Sequence, residues 1–253
     1  MNVVDGQLKA AAVLRDRVEK MVFAPPVARV YNPLSYAWRA FEEYVTRYGA
    51  AKKRVLFLGM NPGPWGMAQT GVPFGEIAAV RDWLGISAAV GRPEGEHPKY
   101  PVDGYACRRS EVSGRRLWGL FKDRFGGAES FFEEHFVVNY CPLLFIETWA
   151  KEGREGARNL TPDKLPPLER SALYDACDAH LRQLVKILSP RYVIGVGNFA
   201  AARAEEALKE AEEVLETDLK IGKILHPSPA SPRSNADWGG EAARQLTDLG
   251  VWR

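Results

Sequence analysis

Four short, mainly apolar runs punctuate the chain, and each ends in a loop rich in turn-forming or polar residues. Arg54 to Gly59 (RVLFLG) enters a Pro/Gly-rich loop, Phe136 to Asn139 leads into Tyr140-Cys141-Pro142, Tyr192 to Val196 into Gly197-Asn198, and Ile221 to Leu225 into His226-Pro227. Runs of this length and apolar content are how strands covered on both faces of a parallel sheet read in sequence. Between them the apolar spacing turns helical, at Gly114 to Phe125, Pro167 to Leu188 and Phe199 to Leu215. Ahead of the first strand, Leu14, Val18, Met21 and Val22 share one face of an amphipathic helix that breaks at Pro25-Pro26. Ala37, Phe41 and Val45 mark a second helix from about Ser35 to Arg47, after the Asn32-Pro33 turn. This alternation predicts an α/β fold, a three-layer α/β/α sandwich around a central, mostly parallel four-stranded sheet. The polar, Pro/Gly-rich stretch from Gly85 to Arg109 reads as a long surface loop.

Composition narrows the class. A chain of 253 residues with 46% apolar content is long enough for one large core, so residues 1–253 are expected to form a single domain. The dense apolar stretches, such as Val55 to Met60, fall far short of the roughly 18 residues a bilayer span requires, so no membrane partner is expected. Asp5, Arg15, Asp16 and Arg17 interrupt the N-terminus before a signal-like hydrophobic run develops. The expected location is therefore the cytosol, beside the nucleoid in a bacterium, or the nucleus in a eukaryote. Cys107, Cys141 and Cys177 are widely spaced and form no CxxC pair, which argues against a disulfide framework or a thiolate zinc site. Three cysteines also fall short of the four that an iron–sulfur cluster needs. His97 and His135 have no partners at ligand spacing, and His180 sits on a helix flank beside Leu173, Cys177, Leu181 and Leu184. Neither a metal nor a cofactor is expected.

A net charge of +2 says little about partners, but the charges are segregated. Arg108, Arg109, Arg115, Arg116, Lys122 and Arg124, opposed only by Glu111 and Asp123, form a candidate phosphate-contacting patch. The alternative is an ordinary solvated helix face. Glu205, Glu206, Glu210, Glu212, Glu213 and Glu216 make an acidic helix that DNA would avoid, so one side is expected to face a polyanion.

Polar loops at the carboxyl ends of parallel strands are where open α/β sheets bind ligands, and two of these loops are distinctive. Gly59-Met60-Asn61-Pro62-Gly63-Pro64-Trp65-Gly66-Met67-Ala68-Gln69-Thr70-Gly71-Val72-Pro73-Phe74-Gly75-Glu76 follows the first strand. His226-Pro227-Ser228-Pro229-Ala230-Ser231-Pro232-Arg233-Ser234-Asn235 follows the last, and its three closely spaced prolines make a rigid, protruding loop. These stretches resemble motifs one and two of the single-strand-selective monofunctional uracil-DNA glycosylase family. The resemblance continues through Tyr31-Asn32-Pro33, Ser110-Glu111-Val112-Ser113-Gly114 and Asn139-Tyr140-Cys141-Pro142-Leu143, covering about Tyr31 to Trp238.

The resemblance implies a uracil-DNA glycosylase-like fold and a base-excision repair enzyme. Such an enzyme flips uracil out of DNA and hydrolyses its N-glycosidic bond to leave an abasic site. By position, Asn61 matches the residue that orients the attacking water, and His226 the donor to the uracil O2. An amide cannot take a proton at neutral pH, so the rate must come chiefly from stabilising the departing base. Asn139 matches the residue that reads uracil O4 and N3–H, a pattern that cytosine reverses, and Phe74 the aromatic that stacks on the base. Met60, Gly63 and Met67 belong to the same substrate-binding set. Gly63 and Met67 lie near the pyrimidine C5, where the absence of a side chain on Gly63 implies space for 5-hydroxymethyluracil and other 5-substituted uracils.

The motif-two loop, through Ser228, Pro229, Ala230, Ser231 and Arg233, is the implied DNA-binding wedge. Vertebrate members carry an arginine where this chain has Ala230, which leaves Arg233 as the alternative wedge or a phosphate contact. The implied partner is single- and double-stranded DNA, bound by a monomer. Without the flanking match, Asn61 would read as a turn residue, His226 as a histidine capping the sheet, and Phe74 as plain core. Two other readings are a catalytically silent module for damaged or single-stranded DNA and a free-nucleoside hydrolase. No lysine lies in either motif, so a Schiff-base lyase is not expected.

Overall fold

The computed structural model describes residues 2–151, 154–209, 218–230 and 232–253. In chain order the principal elements are α1 (Val3–Val18), β1 (Val27–Tyr31), α2 (Pro33–Tyr36), α3 (Trp38–Tyr48), β2 (Val55–Gly59) and α4 (Met67–Thr70). There follow α5 (Val112–Phe125), α6 (Ala128–Phe132), β3 (His135–Asn139), β4 (Leu144–Lys151) and β5 (Arg154–Leu160). The chain continues through α7 (Pro167–Leu188), β6 (Tyr192–Val196), α8 (Asn198–Leu208), β7 (Lys220–Ile224) and α9 (Pro232–Asp248).

The four strands read from the apolar runs are β2, β3, β6 and β7, each within a residue of its expected bounds. They form one sheet in the order β3-β2-β6-β7, with every neighbouring pair parallel. β2 and β6 occupy its centre and are buried at every residue, which is why they read as unbroken apolar runs. On one side α8 lies against β6, β7 and β2, with α7 and then α1 packed outward from it; α5, α6 and α9 pack together on the other. Trp118, Phe121, Phe131 and Phe57 fill the space between α5, α6 and the sheet. This is the predicted three-layer α/β/α arrangement.

Some features differ from the expected pattern, and part of one expectation lies outside the described residues. α1 stops at Val18, so Met21 and Val22 leave the helical face, and Val22 is 87% exposed. α8 is described only to Leu208; the rest of the predicted helix, with Glu210, Glu212, Glu213 and Glu216, lies outside the described residues. A second, antiparallel sheet, β1-β4-β5, was not read from the pattern. Its outer strand, REGARNL, is largely exposed and held through its ladder to β4, so it carries neither an apolar run nor clean alternation.

At the amino end of the parallel sheet, His135 is 2% exposed. Its Nδ1–H donates to the Phe131 carbonyl at 2.9 Å, while its Nε2 accepts from Trp252 Nε1–H at 3.3 Å. Burial pushes its pKa down to about 4 from an ordinary 6.5. Protonation would also set a new N–H against the Trp252 donor. Because the folded value lies below the unfolded one, this contribution to stability is complete above about pH 6.5 and is lost as pH falls through about 4. The loss is on the order of 3 kcal/mol. A series of melting curves from pH 7 to 4 should show this decline, and His135→Gln, which cannot titrate, should flatten it.

Candidate active site

The loops after β2 and β3 stay zipped beyond the strands themselves. Tyr140 N–H donates to the Gly59 carbonyl and Cys141 N–H to the Met60 carbonyl, both at 2.9 Å, so Asn61 is held beside the β3 turn. Gly59 pairs in register with Asn139. A Cβ on Gly59 would sit 2.4 Å from Asn139 Oδ1 and 2.5 Å from Phe74 Cε2. The missing side chain is therefore what lets the Asn139 amide and the Phe74 ring converge at one point. Asn139 Nδ2 donates to Met67 Sδ at 3.2 Å. Behind it, Tyr140 O–H donates to Asp178 Oδ1 at 2.6 Å, and Arg203 Nη2 pairs with Asp178 Oδ2, bracing the turn from the α7–α8 side.

Phe74 takes the left-handed conformation, with φ of +52°, a state that costs a non-glycine residue about 1–3 kcal/mol. Surrounding bonds hold it there: its carbonyl accepts from Trp118 Nε1–H at 3.0 Å and from the Glu76 amide at 2.7 Å. Strain of this kind is retained where the ring's position matters more than backbone comfort.

His226 follows β7 and is half-buried, its ring 6.5 Å from that of Phe74, centroid to centroid. The Ser228 amide donates to its Nδ1 at 3.1 Å, so the neutral ring carries its proton on Nε2 and presents a donor there. Burial pulls its pKa below the ordinary value, which favours that neutral form. The loop around it is fixed from several directions. Ser234 Oγ donates to the His226 carbonyl at 2.6 Å, and Arg116 of α5 donates to the Pro227 carbonyl at 2.9 Å and to Asn235 Oδ1 at 3.0 Å. Asn61 gives its amide N–H to the Leu143 carbonyl at 3.0 Å. That bond fixes the rotamer and directs Oδ1, the acceptor, away from the carbonyl.

Other sequence-derived candidates fare unevenly. Pro229 and Ala230 form the exposed tip of the motif-two loop, while Ser228 braces the turn, its Oγ accepting from the Ala230 amide at 3.2 Å. Ser231 lies outside the described residues. Arg233 belongs to α9 and is paired with Glu241 at 2.9 Å; the pair is exposed on the arginine side and easily exchanged. The basic patch along α5 is not one surface. Arg116 is committed to the motif-two loop, and Arg124 stacks on Trp252 and donates to the Arg253 carbonyl. Arg109 lies 4.2 Å over the Trp65 ring, beside motif one.

Gly63 does not open onto empty space. A Cβ there would lie 1.7 Å from Glu111 Oε1, so the position that implied room is filled by a carboxyl group. Glu111 and Arg116 are the site residues whose structural roles the sequence did not disclose. The first lay inside a matched stretch but had no spacing that tied it to Gly63. The second was counted among phosphate contacts because its partners are 111 and 119 residues away.

The arrangement places an amide with both donor and acceptor, a strained aromatic ring and an imidazole N–H donor around one point, at the carboxyl end of a parallel sheet. Comparison with known proteins agrees with that reading. The family model described as the uracil DNA glycosylase superfamily matches residues 46–246. The bovine (Bos taurus) single-strand selective monofunctional uracil DNA glycosylase is 46% identical over 250 residues, 99% of this chain and 88% of that protein. The Rattus norvegicus protein of the same description is 47% identical over 250 residues, 99% of this chain and 86% of its own length. Among solved structures, the crystal structure of wild-type Pedobacter heparinus SMUG2 shares the fold with a TM-score of 0.68 at 18% identity, covering 99% of this chain and 98% of that one. The chain therefore belongs to the uracil-DNA glycosylase superfamily, alongside the single-strand selective monofunctional enzymes.

Proposed function

We propose that this protein removes uracil from DNA in base-excision repair, by monofunctional hydrolysis of the N-glycosidic bond. The observation that carries the assignment to these particular residues is the convergence of Asn139, Phe74 and His226 at the carboxyl end of the sheet. A base stacked in DNA is inaccessible, so it must first be extruded, at a cost of a few kcal/mol. The exposed Pro229-Ala230 tip is the element placed to enter the gap.

In the pocket, Phe74 stacks on the base. Asn139 Oδ1 accepts from N3–H while its Nδ2 leaves Met67 and donates to O4. Cytosine presents the reversed pattern and leaves both groups unpaired, a mismatch that discriminates strongly. The glycosidic bond breaks with its electron pair leaving on N1 of the base, and the sugar gains oxocarbenium character. His226 Nε2–H donates to O2 as negative charge spreads onto it, and a neutral donor suffices because it is already oriented. A water held by Asn61 Oδ1 adds its oxygen to C1′, and its proton passes to solvent or to the departing uracil anion. The products are free uracil and an intact strand with one abasic site.

The test is incubation of purified protein with end-labelled DNA carrying one uracil. Free uracil should be released, with strand breaks only after alkali. Breaks without alkali would indicate a lyase, and no release, with retained DNA binding, would favour the binding-module reading.

A further inference from the structure

The carboxyl group of Glu111 sits in a cradle made by three glycines. A Cβ would lie 1.7 Å from its Oε1 at Gly63 and 1.9 Å from its Oε2 at Gly66, and 3.1 Å from Oε2 at Gly114, where it would also strike the Phe74 carbonyl at 2.1 Å. Oε2 is buried without a hydrogen-bond partner. Glu111 precedes α5, yet it does not cap the helix with its side chain. Its neighbour Glu76, by contrast, is satisfied by Ser110 and by the Ala79 amide, each at 2.9 Å. A buried carboxyl left without a donor is costly, and three glycines are spent on accommodating this one.

Its position relative to the base follows from Asn139. The Nδ2 that would donate to O4 points at Met67 Sδ, and C5 adjoins C4 on the side away from N3. The C5 edge of the base therefore faces the turn from Gly63 to Met67, closed by bonds from the Gly66 and Ala68 amides to the Gly63 carbonyl. That turn carries the Glu111 carboxyl. We propose that Glu111 is a specificity-determining residue for the C5 edge, accepting a hydrogen bond from 5-substituents that carry a donor, such as hydroxymethyl, and disfavouring the methyl of thymine. A methyl group cannot donate to the carboxyl and would press an apolar group against an unpaired acceptor, so thymine is disfavoured without a bulky side chain in the loop. Burial, with Glu76 adding to it, pushes the Glu111 pKa up to about 7, so near neutrality the group can also present a proton of its own.

This inference rests on the reading of Asn139 as the base-pairing residue. Single-turnover excision would be measured on otherwise identical DNA carrying uracil, 5-hydroxymethyluracil or thymine, with wild type, Glu111→Gln and Glu111→Ala, alongside melting temperatures. Loss of one charge-assisted hydrogen bond should lower the 5-hydroxymethyluracil-to-uracil rate ratio roughly 10- to 100-fold in Glu111→Ala. The thymine-to-uracil ratio should rise in the same variant. Glu111→Gln keeps an acceptor and should fall between. A proportional loss on all three substrates would mean that Glu111 only positions the loop, and unchanged ratios would equally overturn the proposal. If wild type excised no uracil at all, the underlying reading would fail instead.

Discussion

Replacing His226 by alanine should slow single-turnover excision of uracil by roughly 10²- to 10³-fold. Binding of uracil-containing DNA should change far less. The donor matters most when negative charge reaches O2, so its removal raises the barrier more than it weakens the ground-state complex. The imidazole is prepared for this by two features that cost nothing at the moment of reaction: the Ser228 amide fixes its tautomer, and burial keeps it neutral. The variant should still fold, because His226 is half-buried and its loop is held by Ser234 and Arg116 through main-chain oxygens. A rate within threefold of wild type, from a variant with an unchanged melting temperature, would remove His226 from the chemistry.

Asn139→Asp should do something different, because it alters which base is read. A carboxylate still accepts from N3–H but repels O4, so uracil excision should fall by about 10² or more. Cytosine, with a donor where uracil has O4, meets an acceptor instead of a second donor, so the preference for uracil over cytosine should shrink sharply. Measuring both rates on matched oligonucleotides separates this from simple damage to the site. Equal losses on both bases, or an unchanged preference, would mean that Asn139 is not the reading residue. The substitution also removes the Nδ2 bond to Met67, which a melting curve would register as a modest general destabilisation.

The parts of the molecule that were legible in sequence are those whose physics is local. β2 and β6 are buried on both faces, so each is a bare apolar run, and the loop after each strand begins where that run ends. α7 was readable to the residue because Pro166-Pro167 opens it and its apolar spacing persists to Leu188. The antiparallel sheet was not readable, since β5 is mostly solvated and its pairing with β4 is main-chain geometry that composition does not record. At the site, Asn61, Phe74, Asn139 and His226 were found through motif position, and the structure brings the last three around one point. What position could not convey is how the space beside Gly63 is filled, because Glu111 reaches it from another element across 48 residues of chain. In the same way, the charge pattern of α5 did not distinguish an arginine that clamps a loop, Arg116, from one free to meet phosphate.

The most direct test of the assignment is a crystal structure of the protein with DNA carrying one 2′-fluoro-deoxyuridine, whose glycosidic bond resists cleavage. An extruded uracil should be found stacked on Phe74, with O4 and N3–H on the Asn139 amide and O2 on His226 Nε2, each at about 3 Å. Its C5 edge should face the Gly63–Met67 turn. A uracil left in the helical stack, or one lodged away from Asn139 and His226, would contradict the assignment.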